Sequence, residues 1–149
     1  MDKKNQFIWF QEITINDLNR RGENTMAAYL GIKFTEIGEN FLTATMPVNE
    51  RTKQPIGILH GGANVVLAET VASTAANAVV DLEKFYCVGL EINANHIRST
   101  REGVVRAVTY PIHIGRTTHV WQVDIYNEEG KQTCISRMTA SVISREQKP

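Results

Sequence analysis

Apolar and polar residues follow three different rhythms along this chain. In the first third the signals are short. TINDLNRRG opens with Thr14, a residue type suited to helix N-caps, and stops at Gly22, which predicts a short helix. NTMAAYLG predicts a further helical turn or two ending at Gly31. IKFTEIG and FLTATMPV are rich in β-branched and aromatic residues and meet at Gly38-Glu39-Asn40, which predicts a hairpin. Residues 49–60 contain Pro55 and Gly57 and read as loop. The rhythm then changes. From Gly62 to about Val80 the chain is dense in Ala, Val and Leu without a further Gly or Pro, so it suits a helix that is apolar on most sides and therefore buried. Its polar residues Glu69, Ser73 and Asn77 fall at i, i+4 and i+8 on one face, with Thr70 and Thr74 beside them.

The second half alternates. In VGLEINANHIR, Val88, Leu90, Ile92 and Ala94 interleave with Gly89, Glu91, Asn93 and Asn95, the period of a half-buried strand. GVVRAVTYPIHIG, THVWQVDIYNEEG and KQTCISRMTASVIS predict three long strands. Tight connections at Gly115-Arg116-Thr117 and Glu128-Glu129-Gly130 suit an antiparallel meander. A helix apolar all round needs cover on several sides, and a strongly curved antiparallel sheet would supply it. The expectation is an α+β fold, a long central helix wrapped by such a sheet. No repeat, low-complexity tract or linker divides the 149 residues, so one domain is expected over 1–149, with an N-terminal extension of about residues 1–11 and a frayed tail at 145–149.

Composition excludes more than it selects. Sixteen basic residues balance sixteen acidic ones, so no net field draws the protein to nucleic acid or an anionic membrane. Cys87 and Cys134 match no metal or redox spacing and read as buried free thiols, which suit a reducing cytoplasm. The opening MDKKNQFIWFQEITI has an apolar cluster too short and interrupted for a signal peptide, and no segment is long enough to span a membrane. A soluble cytoplasmic protein is expected.

From Gln54 to Val80 only Glu69 carries a full charge at neutral pH, with no Lys or Arg in the helix to pair with it. A buried, unpaired carboxylate costs several kcal/mol or takes up a proton, and such groups concentrate at functional sites. Gly61 and Gly62 stand at the entrance of the same helix, where the first N–H groups lack intrahelical partners and where an oxyanion is stabilised. A carboxylate and an oxyanion hole together suit acyl-transfer or hydrolytic chemistry. Yet Gly61 and Glu69 are eight residues apart, about 12 Å along a helix, while reacting groups must lie within about 3–3.5 Å. If both act, the site lies between subunits, with Gly61 from one chain and Glu69 from another. No G-x-S-x-G elbow, Walker A loop or GxGxxG is present. His60, His96, His113 and His119 lack zinc-helix spacing, so no metal is expected.

HGGANVVLAETVAS, preceded by RTKQPIG and followed by VGLEINANHIRS, resembles the hotdog-fold acyl-CoA thioesterases. The resemblance is to the branch holding the glutamate-dependent 4-hydroxybenzoyl-CoA thioesterase and 1,4-dihydroxy-2-naphthoyl-CoA hydrolase, and it runs from about residue 12 to residue 143. It implies a long helix wrapped by an antiparallel sheet, and hydrolysis of an aromatic or medium-chain acyl-CoA to the free acid and CoA. Glu69 would be the nucleophile or general base, Gly61 the oxyanion donor, Gln54 and His60 would position the thioester, and Ser73 would orient the carboxylate or water. Gly89, His96-Ile97-Arg98-Ser99 and His113-Ile114-Gly115-Arg116-Thr117-Thr118 would hold the CoA, with Arg98 and Arg116 on phosphates. No cofactor is implied, CoA being part of substrate and product. The implied assembly is a homodimer sharing its active sites, commonly within a homotetramer. A menaquinone-pathway step and general release of CoA both fit. Two other readings stay open: a hotdog acyl-thioester hydratase or dehydratase, which would need His60 as catalyst, and a non-catalytic acyl-CoA-binding protein, which would not need Glu69.

Overall fold

Thr14 caps the first helix by accepting the Asp17 N–H at 3.1 Å, and the helix, α1 (Ile15–Arg21), ends at Gly22. A single turn, α2 (Met26–Tyr29), follows and stops before Gly31, whose φ of +75° is the left-handed conformation that glycine adopts without strain. The hairpin is β1 (Lys33–Ile37) and β2 (Leu42–Pro47). The long helix α3 runs Gly61–Ala78, starting one residue before the pattern suggested. Four strands follow: β3 (Phe85–His96), β4 (Val104–Ile114), β5 (Thr118–Tyr126) and β6 (Gln132–Ser144). These elements belong to a computed structural model that describes residues 7–146.

All strand pairs are antiparallel and form one sheet in the order β1-β2-β4-β5-β6-β3. The meander β4-β5-β6 is as expected. The position of β3 was not legible: it crosses to the edge opposite β1 and lies against β6. The sheet wraps α3, which packs on β2 through β6. Leu67, Ala68, Val71, Ala72, Ala75 and Ala76 are buried there among Trp121, Val123, Ile125 and Met138. Small alanines keep the helix thin enough for the sheet to close on it. Both cysteines are buried and free.

The expected alternation in β3 fails in its middle. Leu90 has no partner in β6 between Gly89↔Ala140 and Glu91↔Thr139, a bulge that shifts the facing by one residue. Phe85, Cys87, Ile92 and Ala94 pack inward, whereas Val88 and Leu90, expected inside, are 41% and 64% exposed.

The described part of the N-terminal extension is docked. The Ile8 N–H donates to the Glu39 carbonyl, Trp9 Nε1 donates to the Gly38 carbonyl at 2.8 Å, and the Phe10 N–H donates to the Ala78 carbonyl at the end of α3. At the other end, Arg145 was expected in a frayed tail. Instead its N–H bonds the Lys84 carbonyl and its guanidinium bonds the Leu82 carbonyl and lies over Tyr86. Residues 147–149 lie outside the described part. Among the described residues no helix is long and apolar enough to cross a membrane.

Candidate active site

The loop before α3 is held rigidly, which sets where the helix begins. The His60 N–H bonds the Thr52 carbonyl and the Leu59 N–H bonds the Thr100 carbonyl, each at 2.8 Å. Thr52 is buried, and its hydroxyl donates to the Pro47 carbonyl. His60 is the N-cap of α3, and its Nδ1 accepts the Gly62 N–H at 2.8 Å. With Nδ1 occupied as an acceptor, the neutral ring carries its proton on Nε2. The Gly61 N–H has no partner among the described residues and is the free donor at this helix entrance. A Cβ on Gly61 would lie 2.8 Å from His96 Nε2, so any larger residue here would push that imidazole away from the helix entrance.

A cavity of about 340 Å³ at this entrance brings together Gln54, Gly61, His96, Ile97, Arg98 and Ser99, with Asn64 in its wall. Asn64 is buried, and its Nδ2 is 3.4 Å from His96 Nδ1. Arg98 reaches across to donate to the Gln132 carbonyl, while the N–H groups of Ile97 and Arg98 both go to the Thr133 carbonyl.

Glu69 lies two turns farther along α3 and was expected to be buried. On the single chain it is exposed, because it projects from α3 toward the outer strand β3 rather than into the wrapped core. Its carboxylate rests on Gly89, where a Cβ would come within 2.7 Å of Glu69 Oε1. Gly89, expected among the CoA-holding positions, therefore first makes room for the carboxylate. Ser73 lines a second cavity, of about 440 Å³, between α3 and the α1–α2 segment. The third polar residue on this face has a structural task. Asn77 Oδ1 accepts the Cys87 N–H at 2.9 Å, and its Nδ2 donates to the carbonyls of Cys87 and Ser73. Thus both main-chain groups of Cys87 are paired from α3.

The remaining expected CoA positions do not join this cluster. His113 to Thr118 form the β4–β5 turn, closed by the Gly115 N–H to the Thr118 carbonyl. Thr118 pairs with Ser141 of β6, whereas His96 pairs with Cys134 at the other end of the same strand. Seven residues of strand separate the two levels, about 23 Å. Within one chain, Arg98 and Arg116 belong to opposite ends of the sheet.

Behind β3, Cys87 Sγ and His119 Nδ1 are 3.9 Å apart and buried. Burial pushes the Cys87 thiol up to about 11 and holds His119 below its ordinary value. The thiol stays protonated at neutral pH and is a packing group rather than a nucleophile.

One contributor escaped the sequence reading. Arg21 lines the larger cavity from the end of α1, and nothing local in RRG connects it with Ser73.

The thioesterase superfamily model matches residues 56–134. The 1,4-dihydroxy-2-naphthoyl-CoA hydrolase of Escherichia coli strain K12 is 51% identical over 136 residues, covering 91% of this chain and 99% of the relative. A mutant thioesterase of Pseudomonas aeruginosa superposes with a TM-score of 0.91 at 47% identity, covering 92% of this chain and 99% of that one. A mutant thioesterase of Staphylococcus aureus gives a TM-score of 0.76 at 35% identity, covering 78% of this chain and 97% of that one. With its α3 wrapped by the six-stranded antiparallel sheet, this chain belongs to the thioesterase superfamily and is a hotdog-fold thioester hydrolase.

Proposed function

We propose that this protein hydrolyses acyl-CoA thioesters with aromatic acyl groups, in an active site assembled from two copies of the chain. One observation carries the reading. Glu69 and Gly61 each touch β3, at Gly89 and at His96, and these positions lie symmetrically about Ile92 and Asn93. β3 is an edge strand of 12 residues, and such an edge is a template for pairing. Antiparallel pairing with a second copy, centred between Ile92 and Asn93, sets Gly89 opposite the second copy's His96. Glu69 then faces the second copy's Gly61. Exposed Val88 and Leu90 would be covered by the same contact. The bulge and the edge strand thus supply what a single helix cannot, since Gly61 and Glu69 of one chain stay about 12 Å apart.

In this arrangement the thioester carbonyl sits between Glu69 and the free Gly61 N–H. Glu69 either attacks the carbonyl carbon or removes a proton from an attacking water. Both routes place negative charge on the carbonyl oxygen, to which the Gly61 N–H donates. Collapse breaks the carbon–sulfur bond, and the CoA sulfur leaves as thiolate or takes the proton from Glu69. In the covalent route, water then hydrolyses the anhydride. Gln54 lines the oxyanion side, His60 holds the helix entrance open by capping Gly62, and Ser73 borders the acyl side. Arg98 suits a CoA phosphate. The β4–β5 turn with Arg116 can join the same nucleotide head from another copy, as a tetramer would allow.

The relatives add support. The S. aureus protein has been solved with a glutamine and, separately, a glutamate replaced by alanine, and the two positions are fifteen apart, as Gln54 and Glu69 are here. The name of the E. coli relative favours an aromatic acyl group.

A thiol-release assay over benzoyl-, naphthoyl- and fatty acyl-CoA tests the reading. Glu69→Gln should lower kcat by roughly 10²–10⁴-fold. Full activity in that variant would remove Glu69 from the mechanism. Mixed dimers of Glu69→Gln and Gly61→Pro chains, the proline removing the donor N–H at the first helical position, should regain activity at one of their two sites; verified mixed dimers with none would exclude a shared site.

A further inference from the structure

Two asparagines lie in α3, and the fold uses them in opposite ways. Asn77 gives its whole amide to the main chain of Cys87 and Ser73. Asn64 is also buried, yet among the described residues its Oδ1 has no hydrogen-bond partner and its Nδ2 meets a single group, Nδ1 of His96 at 3.4 Å. A buried amide with an unmatched acceptor is destabilising, and the neighbouring helix positions are filled by Ala, Val and Leu. For packing alone, alanine would suit this position better. The one contact that Asn64 makes leads to the active site.

His96 stands over the helix entrance. A Cβ placed on Gly61 would meet Nε2 of the ring first, at 2.8 Å, ahead of Cδ2 and Cε1. The Nε2 end of the ring therefore lies beside the residue whose N–H is free. The amide Nδ2 can only donate, so a neutral ring that accepts it at Nδ1 carries its own proton on Nε2. That N–H and the Gly61 N–H stand together at a cavity that both residues line. Turning the amide over would leave a bare Nε2 lone pair facing the carbonyl oxygen of a bound thioester, acceptor against acceptor. In the paired dimer, the second copy's Gly89, with Glu69 resting on it, is set opposite His96. The ring thus lies between the attacking carboxylate and the donor that meets the developing charge.

We infer that His96 is a second donor to the thioester oxyanion, and that Asn64 is the positioning residue that fixes its tautomer and tilt. The inference deepens the hydrolytic reading and rests on Gly61 being the oxyanion donor of a shared site. A preset N–H gains most as charge develops on the carbonyl oxygen, so both residues act on kcat rather than on KM.

The test measures thiol release from naphthoyl-CoA by wild-type, Asn64→Ala, Asn64→Leu, His96→Ala and doubly substituted enzymes, each with a sizing run because His96 belongs to the pairing edge. His96→Ala should lower kcat by about 10²-fold, the loss of one oxyanion donor. Asn64→Ala should lower kcat about tenfold and change KM by less than about twofold, since the ring stays but is free to turn. Asn64→Leu should match it, having the bulk without the donor. The double variant should be no slower than His96→Ala alone, as when one residue acts through the other. Thermal unfolding of Asn64→Ala should stay at or above the wild-type midpoint. Imidazole nitrogen NMR shifts should show His96 protonated at Nε2 in the wild type and as a tautomer mixture in Asn64→Ala. Wild-type kcat in Asn64→Ala, a lowered unfolding midpoint, additive losses in the double variant, or a wild-type ring protonated at Nδ1 would each overturn the inference, while an inactive Glu69→Gln enzyme keeps the hydrolytic reading intact. Full activity in Glu69→Gln or Gly61→Pro would instead refute that reading, and this inference with it.

Discussion

Gly89→Ala separates the chemistry from the stability of the fold. A methyl group built on Gly89 would stand 2.7 Å from Glu69 Oε1, where ordinary contact begins near 3.4 Å. The oxygen must therefore retreat by about 0.7 Å. It is the end of a flexible side chain on the exposed side of α3, so the backbone of β3 and α3 can stay in place. Gly89 is not among the positive-φ glycines, so alanine meets no backbone strain there. Alanine in a strand is also favoured over glycine by roughly 0.5–1 kcal/mol through chain entropy. Thermal or urea unfolding should accordingly show stability unchanged or slightly raised. Catalysis should not survive as well. Misplacing a reacting group by 1 Å can cost about 10²-fold, so a shift of this size should lower kcat by about tenfold or more. The measurement is kcat for a naphthoyl-CoA substrate beside an unfolding curve and a sizing run, since β3 is also the proposed pairing edge. Wild-type kcat in a stable, normally assembled Gly89→Ala protein would mean that the carboxylate on Gly89 is not the catalytic group.

Two further outcomes follow from buried polar groups. Asn77→Ala removes the partners of both the Cys87 N–H and C=O, and an unpaired main-chain group costs about 1–3 kcal/mol, so unfolding should become easier by about 2–4 kcal/mol in urea titrations; a loss under about 1 kcal/mol would show that water replaces the amide. The pH dependence of stability should fall at both ends. Burial holds His119 below its ordinary value of 6.5, so the folded chain binds fewer protons than the unfolded one and stability is lost as pH falls through about 6.5. Burial raises Cys87 and Cys134 from 9.0 to about 11, so the unfolded chain loses those protons first and stability falls as pH rises from about 9 to 11. Cys87→Ala and Cys134→Ala should each flatten the alkaline limb of denaturant midpoints measured against pH.

Local signals were read correctly where the residues that decide them are neighbours in sequence. Thr14 and Gly22 bound α1 because a cap needs only its own turn. The apolar run after Gly62 became α3, and the meander of β4, β5 and β6 followed from alternation and tight turns. Reading failed where a partner far along the chain decides. Alternation through Val88, Leu90, Ile92 and Ala94 looked unbroken, and only the pairing of β3 with β6 introduces the bulge that turns Val88 and Leu90 outward. Asn77 shared the spacing of Glu69 and Ser73, yet it serves the backbone of Cys87, a contact made only when β3 packs beside α3.

The candidate site divides along the same line. One charge in an apolar helix, a glycine pair at its entrance and eight residues between them are facts of the chain, and helix geometry alone argues from them that one copy is not enough. Which strand Glu69 and Gly61 lean on, that this strand is a free edge, and that Gly89 and His96 straddle its midpoint depend on the crossing of β3 to the far side of the sheet. So does the cavity between α1 and the wall below Ser73, since α1 is held there by docking on β1 and not by sequence spacing. Periodicity records which face of an element is apolar. It carries no record of which elements become neighbours, because that choice is made by burying all those faces at once.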